Sequence, residues 1–241
     1  MQGRNVTLHS IDYGTTTIEY ELIWARRKTL GITVHSDRRV TVRAPQGASL
    51  ADVEDVVHKK GRWILRKQQE FEKYPAKRPS PRYVSGETHL YLGRGCPLEV
   101  IEDSREGVKL AHERFYLRVR DTHDLARKEK IMREWYRRQA RKEFAQRLEA
   151  VYPLAARYAI PYPEMKIRLM KKRWGSASQP AKINLNLRLI QTPPVCIDYV
   201  ILHELAHLKE LNHSKAFYAL LDRLMPGWRS VREELNQFPV A

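Results

Sequence analysis

Three histidines and one glutamate lie close together in the last fifth of the sequence. The stretch VILHELAHLKELNHS, residues 200–214, contains His203, Glu204, His207 and His213, although the 241-residue chain has only nine histidines. Residues four apart on an α-helix point in nearly the same direction from consecutive turns, so His203 and His207 can share one metal ion. Glu204 lies about 100° away around the helix axis, beside such an ion, where a carboxylate can act as a general base. The H-E-x-x-H pattern therefore predicts a zinc site that activates water for hydrolysis.

The sequence does not decide which residue is the third metal ligand. His213 follows His207 by six residues, the spacing of the extended H-E-x-x-H-x-x-G-x-x-H pattern, but Glu210 stands at the glycine position. We expect Asn212 to end the helix in the left-handed conformation and Ser214 to cap the next helix, which would place His213 at the corner between them. The alternative is a carboxylate ligand from a later helix: Asp222, Glu233 or Glu234.

A structural interpretation of the same helix is also open. His203 and His207 could be core histidines whose hydrogen bonds are satisfied inside the protein. The helix is apolar on most sides, which predicts that it is buried and that its histidines and glutamate need partners. A purely structural zinc site has no need of a carboxylate between its two histidines, so Glu204 favours a catalytic site.

The N-terminal half reads as two sets of strands around one helix. Short β-favouring runs over residues 6–45 predict an antiparallel β region. Ser49 is expected to cap a helix that continues to about Tyr74. The proline-rich tract YPAKRPSPR, residues 74–82, is a candidate subdomain boundary. A second β set then ends near Arg120.

The C-terminal half must supply the elements around the histidines. Helical spacing predicts a long helix from about Asp124 to Val151. EMKIRLM (164–170) and KINLNLRLI (182–190) predict two strands, and the second alternates apolar and polar residues. This order predicts an α+β fold with a β-rich N-terminal region containing one helix, residues 1–121, and a zinc-binding catalytic region, residues 122–241.

Composition limits the environment and the partners. The two cysteines, Cys96 and Cys196, have no CxxC spacing, so we expect inert thiols and no disulfide framework. No stretch approaches the roughly 20 apolar residues of a membrane span, and the N-terminus lacks a signal-peptide pattern, so we expect a soluble cytoplasmic protein without a membrane partner. The formal net charge is +16, with clusters at residues 26–28, 59–62 and 171–173. These clusters are either solvated surface or binding patches for nucleic acid or nucleotides.

The motifs as a group resemble a known family. RWGSAS, followed by INLNLRLI, PP, IDYVILHELAHLKELNHSKAFYALL and MPGW, is similar to the YgjP-like metallopeptidases, which are related to the SprT and WLM metallopeptidases. RKTLGITV, VTVRAP and GRWILRK are also similar, so the resemblance covers nearly the whole chain. It implies a zincin core like that of the minigluzincins, in which the active-site helix packs on a small antiparallel or mixed sheet. It also implies zinc bound by His203, His207 and His213, with Glu204 catalytic. The two cysteines stand where the family would lead us to expect other residue types.

The segment KKRWGSASQP contains candidates for substrate binding. Structurally, Trp174 is a core residue and Gly175 a tight backbone point. Functionally, Ser176 and Ser178 could donate hydrogen bonds to a substrate, since the resemblance implies that extended peptides bind against an edge strand beside the active-site helix. The candidate substrate-binding residues are Arg173, Trp174, Ser176 and Asn186.

The sequence therefore predicts a zinc metallopeptidase that cleaves a peptide or protein with zinc-activated water and Glu204 as general base. The resemblance also implies a first alternative, a pyrophosphatase acting on UTP or another nucleotide, although such enzymes normally use carboxylate-bound magnesium and not H-E-x-x-H. The second alternative is a non-catalytic, basic nucleic-acid-binding protein with a structural zinc.

Overall fold

The internal contacts of the chain divide it into two compact units. A computed structural model describes residues 6–35, 37–72 and 80–238, and its contacts divide the chain into Met1–Arg78 and Pro79–Ala241. This division falls in the proline-rich tract of residues 74–82, most of which lies outside the described residues. The predicted boundary at residue 121 falls inside the second unit, because the long helix that follows it shares a core with the preceding strands.

A mixed four-stranded sheet and two helices form the first unit. Its elements are β1 (Val6–Tyr13), β2 (Thr16–Ala25), β3 (Gly31–Val34), β4 (Val40–Pro45), α1 (Leu50–Lys59) and α2 (Gly61–Glu72). The strand order is β1-β2-β4-β3, and β2 runs parallel to β4. The expectation of an antiparallel region is therefore wrong for this pair, because the chain passes to the far edge as β3 before β4 inserts beside β2. Alternate residues of β2 and β4 form a core with the helices: Ile18, Tyr20, Leu22, Val40, Val42, Ala44, Val53, Val57 and Ile64.

The helix expected from Ser49 to Tyr74 is two helices in the structure. Ser49 caps α1 as expected, in a capping box with Asp52. The chain breaks at Lys60, and α2 begins at Gly61. A Cβ at Gly61 would lie only 2.8 Å from Cγ of Tyr13, so the break coincides with a close approach that excludes a larger side chain.

Two small sheets and four helices form the second unit. Its elements are β5 (Thr88–Tyr91), β6 (Arg94–Glu102), β7 (Gly107–Ala111), β8 (Arg114–Val119), α3 (Leu125–Ala156), β9 (Glu164–Arg168), β10 (Gly175–Ser178), β11 (Lys182–Asn186), a 3₁₀ helix (Leu187–Gln191), α4 (Pro194–Lys209), α5 (Lys215–Leu224) and α6 (Trp228–Asn236). The sheets have the orders β5-β6-β8-β7 and β10-β11-β9, and each mixes parallel and antiparallel pairs. The chain is thus a mixed α+β protein.

The predicted strand over residues 182–190 ends early. β11 stops at Asn186, and the chain continues as the 3₁₀ helix. The Asn186 side chain accepts a hydrogen bond from the Arg188 backbone N–H at 3.2 Å, which caps this helix and competes with strand pairing. Leu187, Leu189 and Ile190 are all buried, so the apolar alternation of the sequence reflects burial and not a longer strand.

Helix α4 lies at the centre of the second unit. It packs against α3, α5, α6, β10 and β11, which explains why it is apolar on most sides. Both cysteines of the chain are free and buried in this unit, and burial raises the pKa of the Cys196 thiol to about 12. Within the described part of the chain, no helix combines the length and apolar character needed to cross a membrane.

Candidate metal centre

The histidines of the H-E-x-x-H motif lie on α4. This helix begins at Pro194, where proline is tolerated because the first helical N–H groups need no partner within the helix. Its core-facing residues are fully buried, whereas His203 and His207 are only partly buried. The helix therefore presents both imidazoles, one turn apart, at the edge of the core.

A sharp corner after α4 carries the third histidine. The helix ends at Glu210 in an extended conformation, and Ser214 caps α5 by accepting a hydrogen bond from the Phe217 backbone N–H at 3.2 Å. His213 stands immediately before this cap. Asn212 does not adopt the expected left-handed conformation, because the extended backbone at Glu210 makes the turn instead.

The three imidazoles converge through their Nε2 atoms. His213 Nε2 lies 3.1 Å from His207 Nε2 and 3.2 Å from His203 Nε2. Nitrogen ligands at about 2.0–2.1 Å from a tetrahedral zinc ion are separated by about 3.3 Å, so this spacing fits three corners of a zinc site. Within the described residues, these three form a group of histidine, cysteine or acidic side chains close enough to hold one ion. Asp222, one of the alternative ligands, instead accepts hydrogen bonds from Trp228 and Arg229 at 2.8 and 2.6 Å.

Burial acts on two of the imidazoles, and a backbone carbonyl orients the third. His207 Nδ1 lies 3.0 Å from the Glu210 carbonyl oxygen, which can only accept, so Nδ1 is the donor and Nε2 faces the other histidines. Burial, followed by the neighbouring histidines, lowers the pKa of His203 to about 3, and burial also lowers the pKa of His213. Neutral imidazole is the form that binds metals, so the residues present fit a zinc ion.

The Phe217 ring packs against all three imidazole rings. Its ring centroid lies 4.5 Å from that of His207, 4.8 Å from that of His213 and 5.0 Å from that of His203. The Phe217 side chain is fully buried. This residue is not among those predicted from the sequence, although its position three residues after Ser214 on an amphipathic helix indicates a core-facing side chain.

Glu204 is buried beside the histidines, and its side chain closely approaches a glycine. Its side chain is only 5% exposed. Burial raises the pKa of the Glu204 carboxyl to about 8, and the positive charge of Arg173 opposes this rise. A Cβ on Gly175 would lie against the Glu204 carboxylate, 2.7 Å from Cγ and 2.8 Å from Cδ. Only glycine at this point of β10 leaves room for the carboxylate in its observed position.

The histidines and Glu204 open into a cleft of 530 Å³. Strand β10 forms one wall, and residues of α4 and α6, including Tyr199 and Arg232, form another. Among the described strands, β10 pairs with β11 alone, so its other edge is free for a further strand. Of the predicted substrate-binding residues, Arg173, Trp174 and Ser176 line this cleft.

Asn186 has a different environment from the other three candidates. It is fully buried, and its side-chain amide donates to the carbonyl oxygens of Met170 and Arg173 at 2.8 and 2.9 Å. Its side-chain oxygen accepts from the backbone N–H of Arg188. These bonds hold the segment that leads into β10, so the structure places Asn186 behind the cleft wall.

Comparison with known proteins identifies related domains. A family model described as "YgjP-like, metallopeptidase domain" matches residues 28–238. Among solved structures, the crystal structure of the metallopeptidase zymogen of Pyrococcus abyssi abylysin matches with a TM-score of 0.35 and 22% sequence identity, over 38% of this chain and 90% of that chain. No curated protein gave a match.

Proposed function

Because this chain belongs to the YgjP-like metallopeptidase family, we propose that it is a zinc-dependent peptidase whose catalytic base is Glu204. The observation that carries the proposal is the convergence of three imidazoles in one cleft, with His213 Nε2 at 3.1 and 3.2 Å from the other two Nε2 atoms, next to a buried carboxylate.

His203, His207 and His213 would hold the zinc ion. Zinc supplies a Lewis acid that lowers the pKa of a water molecule and polarises a carbonyl group. Three imidazole ligands would leave a position open for this chemistry, as in other catalytic zinc sites with three protein ligands.

Glu204 would move the protons of the reaction. It accepts one proton from the attacking water and passes it to the leaving amine, so that a single carboxyl group serves both steps. A group whose pKa lies near neutral pH is suited to both roles, and burial brings the pKa of Glu204 to about 8. Gly175 leaves the room that this carboxylate occupies, because a Cβ there would overlap with it.

Strand β10 would bind the substrate. An extended peptide can pair with the free edge of a strand through main-chain hydrogen bonds, and residues 175–178 of β10 all line the cleft. The Ser176 hydroxyl already accepts a hydrogen bond from the Asn184 amide at 3.3 Å, which leaves its proton available for a peptide carbonyl. A peptide or protein substrate therefore fits this wall better than a compact nucleotide does.

The substrate class can be tested with one matched pair of proteins. Wild type and Glu204→Gln are offered casein, a protein bound to DNA, and UTP, each with zinc or magnesium. We expect casein cleavage with zinc by the wild type and a loss of on the order of 10²- to 10⁴-fold in the variant, since the substituted amide keeps the size but not the basicity of the carboxylate. Glu204-dependent loss on UTP alone would replace the peptidase by a nucleotide pyrophosphatase.

A further inference from the structure

The first unit contains a group of cations that peptidase chemistry does not use. Arg26, Arg27 and Lys28 follow β2 directly. Together with residues at the end of β4, they line an open cavity of 410 Å³. Because β2 and β4 are parallel, with Ala25 opposite Pro45, both strands end at this cavity.

Arg27 is held in place by packing and not by hydrogen bonds from its Nε atom. That atom is buried and has no hydrogen-bond partner among the described residues. The guanidinium group packs over Gly31, where a Cβ would lie 2.8 Å from one terminal nitrogen and 3.0 Å from the other. Burying a donor without a partner has a free-energy cost, so packing over Gly31 fixes the position of this guanidinium group without a hydrogen bond from Nε.

A second arginine projects from the same face of the sheet. Arg43 lies directly opposite Gly31 in the antiparallel β3–β4 pair, and residues opposite each other point to the same side. The Cβ position of Gly31 faces the Arg27 guanidinium, so Arg27 and Arg43 share this face. In the part of the chain that the structure describes, no ion pair joins Arg26, Arg27, Lys28 or Arg43 to a carboxylate.

We propose that this cavity binds backbone phosphates of a nucleic-acid strand. Guanidinium groups bind phosphate oxygens through two parallel hydrogen bonds, and a run of adjacent cations suits a run of phosphates. The seven residues that line the cavity include neither a carboxylate, which would repel phosphate, nor an aromatic ring on which a base could stack. The cavity therefore favours the repeating backbone of a strand over a single nucleotide.

The test measures binding of a labelled single-stranded oligonucleotide to the full chain by fluorescence anisotropy over a series of salt concentrations. Arg27→Gln should weaken binding about tenfold and lower the slope of log affinity against log salt by about one, because one phosphate contact is lost. The matched control is Lys59→Gln, which removes one charge from the same unit but from a lysine paired with Asp55 at 2.6 Å. The control should change affinity by less than about twofold. Equal weakening by both variants would overturn the proposal.

Gly31→Ala gives a second test that changes no charge. The added methyl group must displace the Arg27 guanidinium, so affinity should fall several-fold while the thermal unfolding midpoint remains close to that of the wild type. An unchanged affinity would also overturn the proposal.

In competition experiments, inorganic phosphate and UTP should displace the oligonucleotide only weakly. Displacement by either at micromolar concentration would assign the cavity to small phosphates instead of a strand. The measurement involves no hydrolysis, so its outcome is independent of the proposed peptidase activity.

Discussion

The histidine cluster of the second unit and the basic cavity of the first unit arrange nitrogen atoms for opposite kinds of ligand. In the histidine cluster, burial lowers the pKa of His203 to about 3 and also lowers that of His213, which favours neutral imidazoles with lone pairs for a cation. In the basic cavity, the guanidinium of Arg27 offers N–H donors to an anion. Burial of a titratable base removes its charge, whereas an arginine stays charged in both environments. The choice of side chain therefore decides which ligand each region can bind.

The two regions also differ in how their residues are brought together. His203, Glu204 and His207 come from one helix, so their relative positions follow from helix geometry. The basic cavity joins the ends of two strands that are neighbours only because β4 inserts beside β2. We therefore expect a single substitution in the histidine cluster to abolish zinc binding or peptidase activity. A single substitution in the basic cavity should lower the affinity for an oligonucleotide by a smaller factor.

The largest effect is expected from the two helix histidines. His203→Ala or His207→Ala removes one of three ligands, so we expect the loss of bound zinc and of peptidase activity, on the order of 10³- to 10⁴-fold or more. Zinc content by elemental analysis and casein cleavage are measured on the same samples. Oligonucleotide binding serves as the control, because it belongs to the first unit and should not change.

Replacement of the third histidine should give the next largest effect. We expect His213→Ala to weaken zinc affinity by about 100-fold or more, since a two-ligand site remains. Asp222→Ala and Glu234→Ala should leave zinc affinity within about threefold, because Asp222 bonds to Trp228 and Arg229 and not to the histidines. Zinc titration against a competing chelator measures all three variants. The reverse ranking would move the third ligand to a carboxylate.

Gly175→Ala tests whether the position of the Glu204 carboxylate matters, because this variant retains the carboxylate but displaces it. The added Cβ must push the Glu204 carboxylate away from its place, and a displacement of about 1 Å can lower turnover by about 10²-fold. Zinc content should stay at the wild-type level because the substitution changes none of the three histidines. We expect kcat to fall more than KM changes. Wild-type kcat in this variant would remove the glycine from the mechanism.

The smallest effect is expected from the basic cluster at residues 171–173. These side chains are exposed, and replacing all three with glutamine should change the salt slope of oligonucleotide binding by less than about one unit. The comparison protein is Arg27→Gln, which carries one substitution instead of three. A decrease of about three in the slope would place the nucleic-acid surface in the second unit.

The sequence predicts the parts of the site that depend on local geometry. The i, i+4 spacing of His203 and His207 is fixed once the segment is helical, and the apolar pattern of α4 makes it helical. The corner that carries His213 is predicted only in outline, because the helix ends through an extended Glu210 and not through Asn212. A turn of this kind depends on how α5 packs, and single-residue preferences do not contain that information.

Contacts between distant segments are not predicted from the sequence. Gly175 reads as a tight backbone point, but its partner Glu204 is 29 positions away, and only the packing of β10 on α4 brings them together. The parallel pairing of β2 and β4 is likewise not expected, because strand patterns do not reveal strand order. In the sequence the basic cavity is one of several charged clusters, and only the fold places Gly31 beneath Arg27.

The central claim is that His203, His207 and His213 form a zinc site, and metal content tests it most directly. The full-length protein is expressed in zinc-supplemented medium, purified without chelators, and analysed for transition metals by elemental mass spectrometry. We predict about one zinc per chain, since the Nε2 atom of His213 lies 3.1 and 3.2 Å from those of the other two histidines, a spacing that suits zinc ligands. A protein that is folded by circular dichroism but holds no transition metal would contradict the claim.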